Sequence, residues 1–177
     1  RWMDYVDAKR LEITCGEAPY LVSRYDTVTG DTIPLFSRIG LLDRKMRVVT
    51  ENTDTYSEWM KWTKRAFESI YGFEYQGDNL LLARENLLYT FIDYYTDKFG
   101  KEPTFEELKS IAHIISWNIW QMDGLKHTVP FAVVTEQYQQ MNIPNLFDEN
   151  KTVPCFCKIR NWRSKETVTF DSLLKKA

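Results

Sequence analysis

The chain has 177 residues, of which 44% are hydrophobic and 15% aromatic, a composition that predicts one globular domain with a sizeable core. Its 23 Lys and Arg residues against 25 Asp and Glu residues leave a net charge of −2, which excludes a broad cationic face for nucleic acid. No stretch approaches the ~18 consecutive apolar residues of a membrane span. Since it starts at Arg1 without a methionine, we expect a soluble segment of a longer protein.

The three cysteines, Cys15, Cys155 and Cys157, are odd in number and have no repeated spacing. This pattern argues against a disulfide framework and predicts a reducing compartment, for which the cytoplasm fits best. Cys155 and Cys157 with His127 lack the paired spacing of structural zinc sites, so no metal site is predicted.

The first half of the chain predicts one strand and three helices. The opening strand, "RLEIT", leads into Cys15-Gly16, after which residues 17–24 predict a short helix. Asp, Thr, Gly and Pro residues predict a loop over 25–34. Apolar residues at helical spacing then predict two amphipathic helices, "SRIGLLDRKMRVV" and "SEWMKWTKRAFESI".

The second half predicts two further strands, two helices and a hairpin. "YGFEYQGD" predicts a short buried strand, followed by a helix with its N-cap at Asp78 and its end at Gly100. Thr104 and Glu107 form a capping-box pattern before the next helix. "NIWQM" predicts a third strand closed by an Asp-Gly turn, and "CKIRNWRSKETVTF" predicts a β-hairpin. We therefore expect a single domain over 1–177 with 151–177 as its hairpin extension.

Strands that alternate with helices predict an α/β fold with a mostly parallel sheet and helical crossovers. In such sheets ligands bind outside the carboxyl ends of the strands. Each of the three predicted ends carries an acid, namely Glu12, Glu74 and Asp123. Taken singly, Glu74 and Asp123 read as ordinary surface acids, and only their placement at successive strand ends favours a binding role.

Each strand end suggests a role toward a cofactor with an amino-acid end, a ribose and a base. Gly16 has no Cβ and lets the backbone approach a ligand, and the N–H groups of the predicted helix after it favour an anionic group. Glu74 at the second strand end suits the two hydroxyls of a ribose. Asp123 can accept a hydrogen bond from an exocyclic amine.

Three strings carry a resemblance to a known family. "LEITCGEAPYL" resembles the first cofactor motif of S-adenosylmethionine-dependent adenine-specific DNA methyltransferases, "GFEYQGDNLLLARENLL" is similar to their second, and "NIWQMDGLK" resembles their third. "LEITCGEAPYLVSRYD", "IGLLDRK" and "WQMDGLK" are also similar to strings in methylase subunits of restriction-modification systems. The resemblance therefore covers most of the chain.

The resemblance implies a partial Rossmann-like methyltransferase fold that binds S-adenosylmethionine. Its motifs imply cofactor contacts from nine residues, Glu12, Thr14, Cys15, Gly16, Ala18, Tyr20, Glu74, Tyr75 and Asp123. It further implies that DNA is a partner through regions outside this chain, with restriction or specificity subunits as other partners.

The chain departs from the family in two motifs. Ala18, between Glu17 and Pro19, stands where the first motif usually has a second glycine, and the catalytic Asn/Asp-Pro-Pro-Tyr/Phe motif does not occur. In the family that motif follows a fourth strand and holds the flipped base, so we expect it after Ala177 and assign no catalytic residue here. Two functions remain open, the cofactor-binding part of an enzyme and a degenerate, non-catalytic interaction subunit.

Overall fold

The computed structural model describes residues 1–135 and 152–174. Its central sheet has three parallel strands in the order β1-β2-β3, namely β1 (Arg10–Ile13), β2 (Ile70–Glu74) and β3 (Ile119–Gln121). Phe73 lies opposite Ile13 on one side and Trp120 on the other. The prediction of an α/β fold with a parallel sheet is confirmed, whereas the Rossmann-like assignment stays a prediction.

Helices connect these strands and follow them. They are α1 (Trp2–Asp7), a short 3-10 helix (Leu35–Ser37), α2 (Leu41–Asn52), α3 (Tyr56–Glu68), α4 (Gly77–Phe99), α5 (Phe105–Asn118) and α6 (Phe170–Leu174).

Two of the predicted helix boundaries are confirmed by their caps. The capping box of Thr104 and Glu107 is formed at the start of α5, and Gly100 ends α4 in the left-handed conformation with φ 65°. The predicted N-cap of α4 is wrong, because the helix begins earlier and Gln76 is its N-cap. Asp78 lies instead in the first turn, where its charge complements the helix dipole.

The helix predicted over residues 17–24 is wrong, since this segment folds as successive turns. Thr14, Gly16 and Ala18 all have positive φ, at 61°, 54° and 67°, a conformation that right-handed helices exclude. Pro19, which follows, has no N–H to donate. The segment therefore lacks the helical N–H groups that were expected to hold an anion.

Two antiparallel strand pairs follow the central sheet. β6 (Lys158–Asn161) and β7 (Glu166–Thr169) form the predicted hairpin. β4 (Thr128–Thr135) and β5 (Thr152–Phe156) form a second pair that the sequence did not indicate. Residues 151 and 175–177 of the predicted extension lie outside the described residues.

The sheet buries apolar side chains on both faces. Ile70 and Ile119 join the larger core cluster with aromatic residues of the helices, including Trp59 and Tyr95. Phe73 projects to the other face and packs with Met122, Cys157 and Phe170. Among the described residues, no helix is long and apolar enough to cross a membrane.

A buried lysine ties the start of the chain to the sheet. The Lys45 ammonium on α2 donates hydrogen bonds to Val6 O at 2.9 Å, Ala8 O at 2.5 Å and Ser69 Oγ at 2.5 Å. These acceptors match its three N–H groups. Because Ser69 immediately precedes β2, this cluster fixes α1 and α2 against the sheet.

We expect Lys45→Met to lower the free energy of unfolding by about 3 kcal/mol, because two backbone carbonyls and the buried Ser69 hydroxyl lose a charged donor. Urea denaturation measures the change, with Lys109→Met on the exposed surface of α5 as the matched control. Equal stability of the two variants would contradict a structural role for Lys45.

Candidate functional site

The parallel sheet brings the three predicted strand ends to one edge of the molecule. Glu12 and Glu74 belong to neighbouring strands, and Asp123 follows β3. A Cβ on Gly124 would lie 3.3 Å from Ile13 Cγ2, so the turn after β3 passes over the end of β1. The three strand ends therefore lie at one edge of the sheet, and whether their acids bind one ligand stays a prediction.

A carboxylate joins the first two strand ends. Glu74, which is buried, accepts a hydrogen bond from Gly16 N at 2.8 Å through Oε2 and from Gln76 N at 3.0 Å through Oε1. One side chain thus fixes the turn after β1 and the start of α4. A carboxylate has about four acceptor sites, so each oxygen can still accept a hydrogen bond.

A cleft of about 340 Å³ opens beside this turn. Five of the nine predicted site residues line it, namely Glu12, Thr14, Cys15, Gly16 and Tyr20. A Cβ added to Gly16 would meet no atom within 4 Å, so the missing side chain leaves open space for a ligand. The cleft is large enough for part of a small-molecule ligand.

The other four predicted residues do not line the cleft. Ala18 is fully buried beneath the turn, and Glu74 is buried and bonded to Gly16, which lines the cleft. Tyr75 follows Glu74 and is partly exposed. Asp123 Oδ1 accepts from Leu125 N at 2.9 Å and Lys126 N at 3.0 Å, and these bonds lower its pKa, so Asp123 shapes the turn after β3.

Glu12 has the most unusual environment in the cleft. Its Oε2 is buried without a hydrogen-bond partner among the described residues. Burial raises the pKa of Glu12 to about 7, because removal from water disfavours the charged form. A buried acceptor of this kind is costly to the fold, so it marks Glu12 as a group that a ligand can satisfy.

Cys15 is buried at the base of the cleft. Burial raises the pKa of its thiol to about 12, and the charges of Glu12 and Glu74 add to the effect. A thiol that stays protonated is a poor nucleophile. Cys15 is therefore a packing residue, and the described residues contain no cluster of side chains suited to a metal ion.

A polar network on the other wall of the cleft was not predicted from the sequence. Tyr25 donates its hydroxyl hydrogen to Glu17, and Asn86 Nδ2 of α4 donates to Glu17 O at 3.0 Å and to Tyr25 Oη at 3.2 Å. Tyr25 and Asn79 line the cleft. No spacing signal links residues 61 positions apart, so only the fold reveals this contact.

Comparison with known proteins identifies no relative. No protein-family model, no curated protein and no solved structure matches this chain.

The raised pKa of Glu12 predicts how stability depends on pH. The folded chain holds the Glu12 proton more tightly than the unfolded chain does. Binding of this proton therefore contributes fully to the free energy of unfolding below about pH 4.5, and the contribution is lost as the pH rises through about 7. We expect Glu12→Gln to unfold at higher urea than the wild type at pH 8, and the difference to shrink at pH 5.

The difference in stability between the two proteins removes the contributions of the other titrating groups, because both proteins contain them. One such group is Lys45, whose pKa is lowered to about 7 by burial. The exposed Glu85→Gln is the control and should show no such difference. A wild-type protein that is the more stable at pH 8 would show that Glu12 has an internal partner.

Proposed function

We propose that this chain is the cofactor-binding part of an S-adenosylmethionine-dependent DNA adenine N6-methyltransferase of a restriction-modification system. The observation that carries the proposal is the buried Glu12 oxygen, which has no hydrogen-bond partner among the described residues and lies beside the Gly16 turn, in a cleft at the carboxyl end of a parallel strand. Open parallel sheets bind their ligands at this place.

The charge of the cleft suits a cationic ligand. Glu12 and Glu17 both line it, and S-adenosylmethionine carries a sulfonium and an ammonium group. In the proposal the ammonium donates to Glu12, whose carboxylate is thereby satisfied. Glu74 accepts from the ribose hydroxyls through the acceptor sites that Gly16 and Gln76 leave open.

The proposal assigns methyl transfer to a part of the protein outside these residues. The adenine amine attacks the sulfonium methyl only when the base is out of the stack and held in line. No Asn-Pro-Pro-Tyr occurs in the chain to hold it.

The unpaired edge of β1 offers a place for the fourth strand of the family. Among the described residues β1 pairs with β2 alone, and Leu11 and Ile13 are 43% and 46% exposed. A further parallel strand on this edge would bring its carboxyl end beside the cleft.

The proposal also places the protein in the cytoplasm, where a restriction-modification methylase meets its DNA. Its three cysteines are free, as a reducing compartment requires. DNA, together with restriction or specificity subunits, would contact regions outside this chain.

A second function is a degenerate subunit that keeps the fold and lacks the chemistry. Ala18 in place of the second glycine of the family's first motif favours it. The two candidates differ in whether a longer chain transfers a methyl group.

We expect the wild-type chain to bind S-adenosylmethionine more tightly at pH 7.5 than at pH 6, by several-fold, because Glu12 must lose its proton to accept the ligand ammonium. The ligand's amino group, if its pKa has the ordinary value of about 7.7–8.0, is almost fully protonated at pH 6 and still more than half protonated at pH 7.5. Glu12→Gln should bind roughly tenfold more weakly at pH 7.5, with little pH dependence, as expected for loss of a charge-assisted bond.

Isothermal titration calorimetry measures both effects, with Glu85→Gln as the control. Glu12 is a cleaner position to test than Glu74, whose replacement would also release the Gly16 turn. No saturable heat from a folded wild-type chain at millimolar ligand would refute the proposed function.

We expect no methyl transfer to DNA by the 177-residue chain and transfer by a longer chain that includes an Asn-Pro-Pro-Tyr motif. Incorporation of tritiated methyl groups into mixed-sequence DNA measures both. Activity in the shorter chain would show that the catalytic residues lie within it, and inactivity in both would favour the degenerate subunit.

A further inference from the structure

A second concave surface, which we call the hairpin groove, lies between β1 and the β6–β7 hairpin and has a volume of about 330 Å³. This volume is at the small end of the range for ligand clefts. The described residues that line it include none of those that line the cofactor cleft at the carboxyl ends of the strands. It is therefore a separate candidate site, and its use does not depend on the proposed function.

One face of the central sheet and one face of the hairpin form the walls of the groove. Leu11 of β1 and Tyr71 of β2 are paired in register and line the first wall. Ile159 and Val168, which pair across the hairpin, line the second wall. Paired residues project to the same face of a sheet. The groove therefore runs over the face of β1 and leaves the edge of this strand free for the further strand proposed above.

Contacts between the two walls hold the groove in shape. Tyr71 Oη donates a hydrogen bond to Arg160 O at 2.9 Å. Two residues further along β2, the Phe73 ring packs against the ring of Phe170, with centroids 5.1 Å apart. These contacts join β2 to the hairpin and to the start of α6, so the groove is formed before a ligand arrives, as ligand clefts usually are.

The groove is polar at one end and apolar at the other. The order of the contacts along β2 places the hairpin turn near the amino ends of the strands and α6 nearer their carboxyl ends. Lys9 and Arg10, at the start of β1, therefore line the same end as Asn161 and Glu166, which flank the hairpin turn. Leu173 of α6 lines the other end.

The polar end carries two cations without a counter-ion. Among the described residues neither Lys9 nor Arg10 forms an ion pair, and Arg10 Nη1 instead donates to Lys9 O at 3.1 Å. Glu166 is the one acid among the described residues that line the groove. Positive charge is therefore in excess at this end, and an anionic group would balance it.

We propose that the hairpin groove binds a free carboxylic acid with an aliphatic body, such as a medium-chain fatty acid. The carboxylate would lie at the Lys9 and Arg10 cations, and the chain would cover Leu11 and Leu173, which are 43% and 42% exposed. Burial of this apolar surface drives binding, and the cations select against a ligand with a positive head. The small volume favours one free molecule over a lipid surface or a folded partner.

Isothermal titration calorimetry with decanoate tests the groove. Decyltrimethylammonium, which has the same chain and the opposite charge, is the control ligand. Decanoate should give saturable heat and bind the wild-type chain about fivefold more tightly than decyltrimethylammonium, because exposed charges act through water. Excess S-adenosylmethionine should leave the binding of decanoate unchanged, since its site is the other cleft.

Four variants locate the bound decanoate. Leu173→Asn should weaken binding about fivefold, because the chain loses an apolar contact. Leu174→Asn is the matched control, since Leu174 is 51% exposed on the same helix and is not among the residues that line the groove. Lys9→Gln should weaken binding about threefold and Glu166→Gln should strengthen it by a similar factor, because the first removes an attractive charge and the second a repulsive one. Thermal unfolding checks that each variant is folded.

Several results would overturn the inference. They are the absence of saturable heat from decanoate, equal affinity for the two probes, and decanoate binding that Leu173→Asn leaves unchanged. Displacement of decanoate by S-adenosylmethionine would place it in the cofactor cleft instead. Sedimentation with phosphatidylglycerol vesicles without binding of free decanoate would show that the groove contacts a lipid surface. Failure of the chain to bind S-adenosylmethionine would overturn the proposed function and leave this inference standing.

Discussion

The hydrogen bond from Gly16 N to Glu74 Oε2, 2.8 Å long, is the contact on which the site depends. It joins residues 58 positions apart and holds the turn after β1 against the end of β2. The turn has positive φ at Thr14, Gly16 and Ala18. This strained backbone conformation costs free energy at the non-glycine residues and persists only where surrounding contacts fix it. Without this bond the turn that lines the cleft would be held to β2 by the hydrogen bond from Cys15 N to Phe73 O alone among these backbone ties.

The two acids of the site, Glu74 and Glu12, differ in their hydrogen bonding. Glu74 has two backbone donors and, in the proposal, further acceptor sites for the ribose, whereas Glu12 has a buried oxygen without a partner among the described residues and a pKa raised to about 7. Stability alone would favour an apolar or amide side chain at Glu12. A carboxylate at this position is consistent with a ligand that supplies the missing charge.

Much of the fold follows from local signals in the sequence. The capping box at Thr104, the glycine stop at Gly100 and the aromatic strand around Phe73 were predictable because each depends on residues close in sequence. The turn over 17–24 was mistaken for a helix, because neither the positive φ of Ala18 nor the long-range bond from Gly16 to Glu74 leaves a signal in the local sequence.

The candidate site was predictable in part for the same reason. Acids at strand ends pointed to Glu12 and Glu74, since parallel strands end at one edge. Asn86 was missed, because its role depends on a long-range contact with Tyr25 that leaves no periodic pattern.

The most direct test of the cofactor cleft is a two-dimensional ¹H–¹⁵N NMR titration of the chain with S-adenosylmethionine. We expect saturable shifts of amide signals concentrated at residues 12–20 and 74–77, with Gly16 and Gln76 among the largest because both amides bond to Glu74. Shifts centred instead on the groove of about 330 Å³ between β1 and the β6–β7 hairpin, or no saturable shifts at all, would contradict it.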